Sequence, residues 1–158
     1  MHKSSAIFSK DRVYRYVLIR EWDSRKPSLM FIGLNPSTAD EEKDDPTIRR
    51  IMGFAKKGGY EKIYVTNIFA FGATYPKDLF SNKNPVGFDN DLWIKNISKE
   101  VEKVILAYGN LGKKFDRPNE ILKLIESPYC IKISKTGYPM HPLYLEYTNK
   151  PLKFEKFK

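Results

Sequence analysis

The residues best able to do chemistry fall in two short polar stretches near opposite ends of the chain. The first is Gly33-Leu34-Asn35-Pro36-Ser37 and the second is His141-Pro142-Leu143-Tyr144. Asn35 offers one acceptor and two donors, enough to fix a water or to read both a carbonyl and a ring N–H of a planar heterocycle. Pro36 stiffens that turn and Ser37 adds a hydroxyl. His141 can donate to a developing negative charge or act as an acid or base, and Pro139 and Pro142 hold its loop. Asn67 closes another apolar stretch and is either a second amide reader or a strand-end turn. Asn110, followed by Leu-Gly, reads as a turn. Phe69, Phe71 and Tyr75 follow Asn67 and are either stacking partners for a base or ordinary core packing.

Charged residues cluster just after the first stretch. Glu41 and Glu42 read as a solvated loop, while Asp44 and Asp45 are either ligand-binding groups or the cap of the next helix. Arg49 and Arg50, on that helix, suit a phosphate or an altered base. His2 and His141 are the only histidines. No Cys or carboxylate sits at metal-ligand spacing from His141, so neither a metal nor a cofactor is expected. There is no P-loop, no G-x-G-x-x-G and no nucleophile elbow, so those three chemistries have no motif behind them.

The elements that must position these groups alternate. Val13 to Arg20 reads as a strand, at an antiparallel edge. Leu29 to Ile32 is continuously apolar and belongs to a buried strand, Ser28 to Leu34. Pro46 opens a helix that runs to about Lys57 and stops at Gly58-Gly59. Strands follow at Lys62 to Thr66, Val101 to Tyr108 and Tyr129 to Ile133, with helices at Asp89 to Lys99 and Pro118 to Glu126. A long polar loop spans Thr74 to Gly87. The order predicts a three-layer α/β/α sandwich on a mostly parallel four-stranded sheet. Asn35, Asn67 and the His141 loop then lie along one edge, where open α/β sheets bind ligands.

The 158 residues suit one domain, with a core over about 28–147 and a basic tail over 148–158 that packs or drapes over the surface. Met1 to Ser5 is polar and reads as frayed. No apolar run spans a membrane and no signal-peptide core is present. The lone Cys130 lies in an apolar segment and reads as a buried structural thiol. A monomer in the cytoplasm, away from membranes, is expected. The net charge of +9 favours nucleic acid or a nucleotide as partner.

At these residues the chain resembles the uracil-DNA glycosylase superfamily. Gly33 to Ser37 is similar to the Gly-x-Asn-Pro turn of its mismatch-specific branch, and Ile63 to Asn67 to the strand whose terminal Asn recognises the base. Val104 to Gly109 and His141 to Tyr144 resemble its third strand and second motif. The resemblance implies a hydrolase, a DNA N-glycosylase acting on a modified or mismatched base. Asn35 would position water, Asn67 would read the base and His141 would support the departing anion. Leu143 or Tyr144 would fill the duplex, and Lys-rich surfaces near Lys135 and Lys150 to Lys158 would hold phosphates. The four cysteines of the iron–sulfur branch are missing, so no cluster is implied, and Asp44 to Thr47 stands where a stacking ring is usual. That departure points away from uracil. It leaves two alternatives open, a non-catalytic nucleic-acid or nucleotide-binding module and an enzyme of free nucleosides or nucleotides. Residues 33–40, 44–50 and 141–144 also reproduce the hallmarks of a family of small bacterial and phage proteins known as domain of unknown function 1643 (DUF1643).

Overall fold

A strand buried on both faces must be apolar at every position, because successive side chains point to opposite sides of the sheet. In the computed structural model, which describes residues 3–23, 25, 27–146 and 152–157, that requirement is met along the centre of one sheet. Its strands are β1 (Lys3–Phe8), β2 (Arg15–Glu21), β3 (Ser28–Gly33), β4 (Lys62–Asn67), β5 (Lys103–Leu106), β6 (Pro128–Cys130) and β7 (Glu155–Lys156). They lie in the order β1-β2-β4-β3-β5-β6-β7. The run β4-β3-β5-β6 is parallel, and β1, β2 and β7 join it antiparallel.

The expected four parallel strands are therefore present, but the sheet has seven. Lys3 to Ser5, expected to be frayed, pair with Glu21, Arg20 and Ile19. Strand β2 is thus an inner strand, not the edge. In the tail, Glu155 and Lys156 pair with Cys130 and Tyr129. Both additions are edge strands, held by backbone hydrogen bonds, so their side chains carry no burial pattern. Residues 148–151 and 158 of the expected tail, with Met1 and His2, lie outside the described residues.

Among the described residues four α-helices cover the sheet: α1 (Pro46–Lys57), α2 (Pro76–Phe80), α3 (Asn90–Ser98) and α4 (Arg117–Leu124). On one face Ile48, Ile51, Phe54 and Ala55 of α1 pack with Leu29, Phe31, Ile63, Val65 and Ile105. On the other, Ile94, Ile97 and Ile121 pack with Met30, Ile32, Val104 and Leu106. The layers are thus helix, sheet and helix. Helix α2 lies in the stretch expected to be loop, anchored by the buried Leu79. Cys130 is buried, and burial pushes its thiol up to about 11. No helix among the described residues is long and apolar enough to cross a membrane.

Two fully buried arginines brace the loops. Arg20 donates from Nε to Asp44 Oδ1 at 2.9 Å and from Nη2 to the carbonyls of Asp40 and Lys43 at 2.7 and 3.0 Å. It pins the acidic loop onto the sheet. Arg117 donates from Nε to the Ile68 carbonyl at 2.7 Å and pairs with Asp91 and Glu120. Beside it, buried Asn90 donates from Nδ2 to the Asn67 carbonyl at 2.8 Å. The exit of β4 is held from behind by this pair.

Candidate functional site

Gly33 and Asn67 are register partners at the carboxyl ends of β3 and β4, and β5 continues into Ala107. Strand order reverses here, with β4 on one side of β3 and β5 on the other, which opens a crevice at the ends of these parallel strands. A cleft of about 510 Å³ occupies it. Gly33, Asn35, Ser37, Asp45, Asn67, His141, Leu143 and Tyr144 all line it, together with Arg15 and Thr38.

Asn67 is buried, 3% exposed, and its Nδ2 has no hydrogen-bond partner among the described residues. Its Oδ1 crosses directly over Gly33, where an added Cβ would sit 2.8 Å away. Only glycine at position 33 leaves that amide its place. Asn35 is held differently. Its Nδ2 donates to the carbonyls of Ala73 at 2.6 Å and Pro36 at 2.9 Å, which leaves its Oδ1 as the available acceptor.

His141 is half-buried, and its Nδ1 accepts from the Leu143 N–H at 3.3 Å. The proton of the neutral ring is therefore on Nε2. Burial lowers the proton affinity of His141 below its ordinary 6.5, and the opposing pull of Asp45 is the smaller effect. At neutral pH the side chain is an uncharged donor. Its ring lies 5.6 Å from that of Tyr144. The loop is fixed from two sides: Arg50 donates to the carbonyls of Pro142 and Leu145 at 3.3 and 2.9 Å, and Gly109 donates to that of Pro139 at 2.9 Å. Gly109 has φ +71, and its missing side chain leaves room for the His141 Cβ.

A family model described as protein of unknown function, DUF1643, matches residues 15–143. The chain belongs to this family. The matched span contains every residue that lines the cleft except Tyr144. No curated protein and no solved structure matches the chain.

Several expected site residues of this DUF1643 protein lie elsewhere. Asp45 borders the cleft but is the α1 cap: Oδ1 accepts from Ile48 N at 2.9 Å and Oδ2 from Ala39 N at 3.3 Å. Asp44 is turned to Arg20, and Arg49 donates to the Asp44 carbonyl. Arg50 holds the His141 loop from below, so neither arginine lines the cleft. Phe69 is fully buried, with its ring edge-on to Phe80 and Phe115 at 5.8 and 6.0 Å; it packs the core behind β4. Pro36 faces a neighbouring cavity of about 340 Å³. Lys135 is exposed in the turn that precedes the His141 loop. No group of three or more His, Cys, Asp or Glu among the described residues could hold a metal ion.

Three residues that line or brace the cleft escape sequence reasoning. Arg15 is 3% exposed and lines the cleft, while Asn90 and Arg117 set the back of Asn67. The available signal was a charged residue opening an apolar strand, at Arg15, and a charged or amide residue at the start of an amphipathic helix, at Asn90 and Arg117.

Proposed function

We propose that the cleft recognises a nucleobase and hydrolyses the N-glycosidic bond that carries it, as in the uracil-DNA glycosylase superfamily its motifs resemble. One observation carries this reading: a buried Asn67 donor without a partner lies in the same cleft as an uncharged His141 donor. A buried amide left unsatisfied costs about 1–3 kcal/mol, so the site is completed by a ligand that accepts from it. A heterocycle carbonyl does so.

The chemistry then follows from the side chains. The Asn35 Oδ1 accepts from a water and holds its oxygen toward the anomeric carbon. The C–N bond breaks as the water oxygen bonds to that carbon, and the electron pair leaves on the base nitrogen. Charge delocalises to a ring carbonyl oxygen, where His141 Nε2–H donates. The water's proton passes to solvent. An uncharged imidazole makes this hydrogen bond without first losing a proton to the site. The exposed Leu143 and Tyr144 at the mouth would take the place of an extruded nucleotide in a duplex, and the net charge of +9 would hold the backbone.

Recognition without cleavage is the second reading. It is favoured by Asp45, the only acidic residue among the described lining residues, whose two oxygens are already occupied by backbone N–H groups. No carboxylate is then left to activate water. Incubating the protein with single- and double-stranded oligonucleotides bearing a panel of altered bases decides between them. Free base released by the wild type, and lost with Asn67→Ala, supports hydrolysis. Binding without release selects the recognition module. Equal inertness of wild type, Asn35→Ala and Asn67→Ala, with no binding, rejects both.

A further inference from the structure

Arg15 stands apart from the other buried arginines. Arg20 and Arg117 are surrounded by carbonyls and carboxylates. Arg15 is 3% exposed, yet its only side-chain hydrogen bond among the described residues is from Nη1 to the Ala39 carbonyl at 3.0 Å. Its Nε is buried without a partner. No carboxylate forms an ion pair with it among the described residues. Asp45 exerts an attraction on it and Arg20 a repulsion, but both Asp45 oxygens are occupied as the helix cap. Burial pulls the guanidinium down to about 10, which leaves it charged at neutral pH.

A buried charge held by one neutral carbonyl is costly. Such a residue is explained by what it binds. Its guanidinium fork matches two oxygens of a tetrahedral anion. The exposed hydroxyls of Ser37 and Thr38 line the same cleft and can donate to the remaining oxygens. Arg15 and Ser37 also border the adjoining cavity, so the wall between the two spaces is the polar one.

We propose that Arg15 binds a phosphate group carried by the ligand of this cleft. Combined with the base-recognition reading, on which this extension rests, the ligand is a nucleotide gripped by its base at Asn67 and by its phosphate at Arg15. The phosphate is either the terminal group of a free mononucleotide or a phosphodiester of a strand.

The test compares wild type, Arg15→Gln, Arg15→Lys and, as a control in a distant groove, Lys99→Gln. Thermal unfolding and calorimetry are followed with inorganic phosphate at constant ionic strength, then with nucleosides, nucleoside monophosphates and a short oligonucleotide. Phosphate should stabilise the wild type, with affinity falling about tenfold or more in Arg15→Gln, less in Arg15→Lys, and unchanged in Lys99→Gln. The form whose binding depends on Arg15, monophosphate or oligonucleotide, identifies the source of the phosphate. If phosphate binds through Arg15 and nucleotides bind no more tightly than phosphate, the Arg15 assignment stands and base recognition fails. If nucleosides bind as tightly as nucleotides, and Arg15→Gln binds both like the wild type, base recognition stands and the Arg15 assignment fails. Should Arg15→Gln not fold, the wild type decides alone: no stabilisation by millimolar phosphate overturns the proposal.

Discussion

The two ends of the parallel sheet carry spaces of similar size and opposite character. At the carboxyl ends lies the cleft of about 510 Å³; at the amino ends a groove of about 560 Å³ runs between α3 and α4, lined by Lys95, Lys99, Lys123, Glu102 and Glu126. The groove is the larger, but its charged groups stand on exposed side chains. The cleft holds buried polar atoms that the fold leaves unsatisfied, at Asn67 and Arg15. Volume does not separate a site from a surface furrow. Unmet hydrogen-bonding capacity in a preorganised wall does, because it is stabilised only when a ligand arrives.

The same contrast exists between buried arginines, and it yields the largest expected effect. Removing Arg117 takes from the Ile68 carbonyl its shorter hydrogen bond, leaving only the one from Asn90 Nδ2 at 3.3 Å, and unpairs Asp91 and Glu120. Arg117→Ala empties a fully buried site and should cost about 2–5 kcal/mol of unfolding free energy, a large part of a domain's total, measurable by urea denaturation. Arg15→Gln removes a charge with no ion pair and should leave stability unchanged or raised. Equal losses in the two variants would make Arg15 a structural residue and erase the distinction.

Next come the cleft donors. Asn67→Ala removes a donor that has no partner among the described residues, so the midpoint of unfolding should barely move. Ligand binding or base release should fall by about 10²–10³-fold, the usual consequence of losing one oriented donor to developing charge. His141→Ala should fall by a similar factor. Lys99→Ala and Lys123→Ala, in the groove, should change neither quantity. Loss of activity in the groove variants, with retention in Asn67→Ala, would move the site to the other end of the sheet.

How much of this was legible beforehand depends on which physical term placed each residue. Helix α1 was readable to its ends, because Asp45, Pro46 and Gly58 are local punctuation and Ile48, Ile51 and Ala55 fall at helical spacing. The level ends of β3 and β4, hence the meeting of Asn35, Asn67 and the His141 loop at one edge, followed from the alternation of strands and helices. Edge strands β1 and β7 were not readable, since backbone pairing at a solvated edge leaves no mark on side-chain type. The same limit applied to Arg49, Arg50 and Arg15. All three are arginines near the first motif, and only tertiary placement turns one into the cleft, one under the His141 loop and one toward solvent. Phe69 failed for a related reason: a ring beside an amide in sequence lies on the opposite face of the sheet from it, inside the core.

A smaller effect tests the fit between Gly33 and Asn67. In Gly33→Ala the new Cβ meets Asn67 Oδ1 at 2.8 Å, so the amide must swing away or β3 must shift. Overpacking of this kind costs about 1–3 kcal/mol. Because the clash is with the side chain proposed to read the base, binding should suffer together with stability. Gly59→Ala is a useful counterpart: it has φ +86 but nothing within contact distance of its Cβ, so it should lose stability through backbone strain while binding is retained. If Gly33→Ala binds like the wild type, the Asn67 amide is not the reader of the ligand.

The smallest expected effect is the response to acid. His141 binds its proton less readily folded than unfolded, because burial disfavours the charged ring and Asp45 only partly offsets this. Between the folded pKa and the ordinary 6.5, the unfolded chain therefore holds more protons, and stability rises with pH across that window. The contribution is complete above 6.5, shrinks as pH falls through that value, and is gone below the folded pKa. Protonation also forces Nδ1 to give up the hydrogen bond from Leu143 N–H, since both ring nitrogens of the cation are donors. Binding should weaken over the same range as the loop loses that restraint. His141→Gln keeps a donor without a titrating ring, so its stability profile between pH 5 and 7 should be flatter than the wild type's. An identical slope in both proteins would show that some other group titrates there and that His141 is not held neutral by its place in the cleft.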